Sequence, residues 1–99
     1  MDTEIKRLPG AKLFVKPFGR LDLDNAMEFG TTVNDELDDI IELIMDFSEV
    51  TFISSFGLKV VLELYKQMKS QGGMKLTNVP DKIMESFKMV GFDKFLVIE

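Results

Sequence analysis

The stretch Ile40-Ile41-Glu42-Leu43-Ile44-Met45-Asp46-Phe47 is an apolar run broken only by Glu42 and Asp46, the pattern of a central strand covered on both faces. A turn through Ser48-Glu49 leads to Val50-Thr51-Phe52-Ile53, and Ser54-Ser55 then precede a segment that carries Leu58, Val61, Leu62, Leu64, Tyr65 and Met68 on one helical face. A strand feeding a helix in this way is the building unit of a parallel sheet.

Downstream, Gly72-Gly73 is placed to end that helix, as a left-handed C′ glycine does. Met74, Leu76 and Val79 alternate as a strand; Pro80 suits a helix start; Ile83, Met84, Phe87 and Val90 supply its face; Gly91 stops it; and 95–98 forms a last strand. Upstream, 3–8 and 11–18 read as a hairpin about Pro9-Gly10, with proline fixing φ at turn position i+1 and glycine supplying positive φ at i+2. Asn25 with Glu28 three residues later suggests a capping box, and Ala26, Phe29, Val33 and Leu37 extend a helix over 25–38. The fold class that follows is α/β, in the order β-β-α-β-α-β-α-β, with a mixed, mainly parallel sheet of about five strands.

With 99 residues, the chain is expected to form one domain over 1–99. Forty-five per cent hydrophobic and 29% charged residues make a composition that can pack a core. Cysteine and histidine are both absent, which removes thiolate and imidazole metal sites, disulfides, and the usual general base near neutral pH. A serine-nucleophile enzyme therefore lacks its activating group, and no Gly-x-Ser-x-Gly elbow or Walker lysine motif is present. The expectation is a protein that is not an enzyme and holds no cofactor and no metal.

The net charge of −5 opposes nucleic-acid binding. It is unevenly placed: residues 1–50 carry five Lys or Arg against twelve Asp or Glu, while 51–99 carry seven against five. Met1-Asp2-Thr3-Glu4 opens no apolar leader, and no run approaches a membrane span, so insertion into a membrane is not expected and a cytoplasmic location is.

Ser54 and Ser55 stand where a buried strand and a short loop enter the clearest helix, and one of them is expected to cap it. Around them, Asp46-Phe47-Ser48-Glu49-Val50-Thr51-Phe52-Ile53-Ser54-Ser55-Phe56-Gly57-Leu58 resembles the signature of STAS domains found in anti-sigma factor antagonists. Gly19-Arg20-Leu21-Asp22 resembles the family's segment before its first helix, and Asn78-Val79-Pro80 with Val90-Gly91-Phe92-Asp93-Lys94 resembles its last helix and surroundings.

The resemblance implies a partner-switching protein that binds an anti-sigma factor, itself an ATP-dependent serine kinase. Phosphorylation of Ser55, with Ser54 as the alternative acceptor, releases the partner, and a phosphatase resets the switch. The implied partner-binding residues are Asp22, Asp24, Ser54, Ser55, Phe56, Gly57 and Leu58, on a monomer or weak dimer. Ser54 stands where the family has Asp and Phe56 where it has a second Ser. Phe56 is expected either to fold back against Phe18 or Phe52 or to serve as an interface anchor. Gly57 is expected to let the helix approach closely, and Asp46 to pin the following loop. The competing reading is a STAS module that is never phosphorylated and docks a transporter or signalling complex through Phe56 and the helix over 58–69.

Overall fold

Alternating burial organises the structure, a computed structural model that describes residues 1–99. Strand β1 (Thr3–Leu8) pairs antiparallel with β2 (Lys12–Pro17). Strands β4 (Glu42–Asp46), β6 (Gly73–Thr77) and β7 (Val97–Ile98) then add in parallel, giving the order β1-β2-β4-β6-β7. Between them lie α1 (Leu23–Asn34), α2 (Ser55–Lys69) and α3 (Asp81–Met89). Mixed, mainly parallel pairing over five strands is thus the observed architecture.

Leu13, Val15, Leu43, Met45, Met74 and Leu76 form the covered face of this sheet, and Phe29 and Val33 of α1 and Val61, Leu64 and Met68 of α2 join them in one core. The opposite face is open. Strand β4 is therefore not buried on both sides as its composition suggested, because Glu42, Ile44 and Asp46 are only half-buried. On that side Lys12 pairs with Glu42 at 3.4 Å in solvent.

A second, two-stranded sheet was not anticipated: β3 (Gly19–Leu21) pairs in parallel with β5 (Val50–Ile53). Both strands are too short to show a period, and only their pairing defines them. Their ends launch α1 and α2, so the two helix N-termini lie side by side.

Several boundaries differ from expectation. The N-cap of α1 is Asp22, not Asn25; Asn25 lies inside the first turn and donates its Nδ2 to the Arg20 carbonyl at 3.0 Å. The helix also ends at Asn34 rather than 38. Strand β4 begins at Glu42, with Ile41 half exposed before it, and the last strand shrinks to Val97–Ile98 because the Phe95 and Leu96 N–H groups both donate to the Phe92 carbonyl, closing the 3-10 turn over Phe92–Lys94. The hairpin loop is Pro9-Gly10-Ala11, in which both Gly10 and Ala11 have positive φ.

Gly72 and Gly73 are not left-handed caps. Gly72 is required because the Ile41 carbonyl oxygen would lie 2.0 Å from any Cβ there. Gly91, in contrast, does stop α3 with φ +79. Beneath α3, Phe87 meets Phe47 and Phe92 at ring separations of 6.2 and 5.9 Å.

Candidate functional site

The site grows from the junction of β5 and α2. Ser54 is the N-cap of α2: its Oγ accepts from the Phe56 and Gly57 backbone N–H groups at 3.2 and 3.3 Å and donates to the Leu21 carbonyl at 3.2 Å. Its backbone N–H also donates to the Leu21 carbonyl, at 3.0 Å. One serine thus satisfies the helix start and ties it to β3. Ser54→Ala is expected to lower stability by about 1 to 2 kcal/mol, with faster amide exchange at Phe56 and Gly57; an unchanged urea midpoint would refute this role.

Ser55 is the first residue of α2; it is exposed, and its hydroxyl makes no hydrogen bond within the chain. The two adjacent serines are therefore chemically distinct: one hydroxyl is committed to the fold and the other is free.

Phe56 is 47% exposed, so it does not fold back against Phe18 or Phe52 as one alternative held. It lines instead a groove of about 620 Å³ between α1 and α2. The first-turn side chain points toward the neighbouring helix because α1 and α2 start side by side. Across from it, Leu23 and Met27 are 47% and 65% exposed, and Gly30 and Val60 form part of the groove wall. Sequence reasoning missed Leu23 and Met27. Their spacing of four residues, on the face away from Ala26, Phe29 and Val33, is the signal that marks a second apolar stripe.

The other expected site residues divide by exposure. Asp22 and Asp24 are at the surface around the start of α1, and Asp22 contacts Arg20 at 3.4 Å. Gly57 is buried, where an added Cβ would meet Ile53 Cγ1 and the Leu21 carbonyl, both at 2.6 Å. Leu58 is half-buried against the core. The exposed face is thus made by Asp22, Leu23, Asp24, Met27, Ser55 and Phe56, while Gly57 and Leu58 seat the helix beneath it.

Asp46 accepts from the Ser48 backbone N–H at 2.8 Å and from Asn78 Nδ2 at 3.1 Å, bridging the β4–β5 loop to the end of β6. Burial pushes its carboxyl up, but the hydrogen bonds from Ser48 and Asn78, with the charge of Lys16, outweigh this and hold it below the usual carboxylate range. A lowered folded-state value means that the ionised form stabilises the protein above the unfolded pKa, and that this stabilisation disappears as pH falls through the folded value. Asp46→Asn is expected to lose about 1 kcal/mol or less at pH 7, with the gap from wild type closing below about pH 4. A gap independent of pH would contradict the assignment.

No cluster of potential metal ligands occurs, and no helix is long and apolar enough to cross a membrane.

This assembly, a mixed sheet with one helical layer and two serines at the start of α2, one capping the helix and one free, is that of a small α/β domain. The STAS domain model matches residues 2–99, and the chain belongs to that family. Among solved structures, the fold is similar to the unphosphorylated Bacillus anti-sigma factor antagonist SpoIIAA, at 16% identity over 99% of this chain and 88% of that one, with a TM-score of 0.84. It is also similar to an anti-sigma factor antagonist from Mycobacterium paratuberculosis, at 21% identity over 98% and 83%, TM-score 0.88. A region making up 14% of a murine solute carrier anion transporter matches 86% of this chain at 20% identity, TM-score 0.74.

Proposed function

We propose that the protein is an anti-sigma factor antagonist that binds an anti-sigma factor with serine kinase activity and is controlled by phosphorylation of Ser55. The observation that carries this reading is the free, exposed Ser55 hydroxyl at the first residue of α2, beside a Ser54 hydroxyl already engaged in capping. The γ-phosphoryl group of ATP moves to Ser55 Oγ, ADP leaves, and the kinase takes up the hydroxyl proton. A phosphatase returns the serine. The unphosphorylated face, with Leu23, Met27 and Phe56 as apolar anchors and Asp22 and Asp24 at its rim, binds the partner.

The physics of the site supports a switch without refolding. A phosphate adds about −1.5 to −2 charge, and a helix N-terminus favours it through free N–H groups and the helix dipole. The penalty falls on the bound partner, which must accommodate bulk and a desolvated dianion.

Incubation with an anti-sigma kinase and ATP is expected to place one phosphate on Ser55, mapped by mass spectrometry, and none on Ser55→Ala. Ser55→Asp is expected to bind the anti-sigma factor at least about tenfold more weakly than wild type, a change of about 1.4 kcal/mol. Absence of phosphate together with wild-type binding by Ser55→Asp would overturn the reading.

One observation favours a second reading. Phe56 places a large apolar ring beside the serine, which suits a constitutive docking module of a transporter or signalling complex. In that case Phe56→Ala abolishes binding while Ser55→Asp leaves it unchanged.

A further inference from the structure

We propose that Arg20 and Lys59 form a two-cation clamp for a phosphate carried by Ser55, so that the modification is read by the protein's own side chains before any partner meets it. The inference rests on the Ser55 reading above and adds its regulation.

Arg20 is the register neighbour of Phe52, and Leu21 that of Ile53, which brings Asp22 level with Ser54 and one residue short of Ser55. The guanidinium carbon lies 4.2 Å from the centre of the Phe52 ring, and Nε lies 3.4 Å from Asp22 Oδ2. The side chain therefore extends along β3 toward the edge from which α2 departs. Asp22 and Ser54 directly follow these paired strands, which the Ser54 N–H ties together at the Leu21 carbonyl, 3.0 Å away. Only Nε is engaged within the chain, which leaves the two terminal nitrogens of the fork without partners.

Lys59 supplies the second cation and lines the groove between α1 and α2. It lies four residues after Ser55 in α2, the spacing at which helix side chains meet. It is exposed and forms no ion pair. The first turn of α2 contains no acidic residue. The charged groups around this corner are Arg20 from β3, Asp22 and Asp24 from the start of α1, and Lys59 from α2, with Glu63 one turn further along the same groove.

A Ser55 phosphate, with about −1.5 to −2 charge and three acceptor oxygens, takes the two free nitrogens of the fork and outweighs the single carboxylate of Asp22 as the partner of Arg20. When Arg20 turns to the phosphate, Asp22 loses its cation. The partner-facing corner thus becomes more negative at two residues from one modification, and the phosphate is held in place by both cations.

The test uses the full chain with phosphoserine incorporated at position 55 during synthesis, followed by phosphorus NMR through a pH titration at low salt. Arg20→Gln and Lys59→Gln are each expected to raise the second pKa of the phosphate, and the double variant by about half a unit or more. Arg20→Lys keeps the charge without the fork and recovers only part of the loss. In the wild type, the Arg20 Hε resonance is expected to follow the phosphate titration, a readout that needs no substitution. A double variant that titrates with wild type overturns the clamp, and so does a response confined to one of the two cations. Because the phosphate is installed without a kinase, failure of phosphate transfer by an anti-sigma kinase overturns the proposed function while leaving the clamp to stand or fall on its own titration.

Discussion

Gly72→Ala is expected to lower the unfolding free energy by about 4 kcal/mol, a large share of the roughly 5 to 15 kcal/mol typical of a domain. The added Cβ would lie 2.0 Å from the Ile41 carbonyl oxygen and 2.8 Å from its carbon. Both are backbone atoms, which have no rotamer by which to move aside. Relief must come from displacing the α2–β6 turn, and that breaks the hydrogen bond from Gly73 N–H to the Ile41 carbonyl at 2.9 Å. The same corner holds Gln71, whose Nε2 donates to the carbonyls of Leu37 and Ile40 at 2.8 and 2.7 Å. Overpacking of about 1 to 3 kcal/mol or more therefore adds to a lost hydrogen bond of about 1 kcal/mol. Urea denaturation measures the sum, and a loss below 1 kcal/mol would show that the turn can shift freely.

Gly57→Ala is expected to be the more informative substitution, because it couples stability to the site. Alanine is a better helix former than glycine by about 1 kcal/mol, yet its Cβ would meet the Leu21 carbonyl and Ile53 Cγ1 at 2.6 Å and Leu21 Cβ at 3.1 Å. The clash outweighs the propensity gain, for a net loss of about 2 to 3 kcal/mol. Moving α2 away from β3 stretches the Ser54 hydroxyl contact to Leu21 and shifts Ser55 relative to Asp22. Amide shifts at 21–23 and 54–58 are expected to change together. A stabilised variant with unmoved amides would show that glycine is dispensable here.

Some of this was legible in the residues because it rests on local chemistry. Ser54 and Ser55 precede a helix with an unbroken apolar face, and only a short polar side chain satisfies the N–H groups at such a start. Asp46 before Ser48 is the arrangement in which a carboxylate binds the backbone two residues on, and the structure forms that bond. Capping at α1 misled because Asn25 and Glu28 fit a capping box, whereas the pairing of β3 with β5 had already set the strand end at Leu21 and the helix start two residues later.

The chain by itself determined the succession of elements, the apolar faces of the helices, and the presence of serines at the head of α2, since hydrophobic period and capping chemistry act between residues near in sequence. Only the tertiary structure decided which serine is committed. Ser54 faces the Leu21 carbonyl 33 positions away, and no spacing rule reports a contact that depends on how two short strands pair. The same holds for Gly72, whose need is created by Ile41 across the β4–β6 ladder rather than by its own turn. It holds as well for the groove in which Phe56 meets Leu23 and Met27, because the separation of two helices is set by the sheet beneath them, and that sheet is assembled from strands drawn from the whole chain.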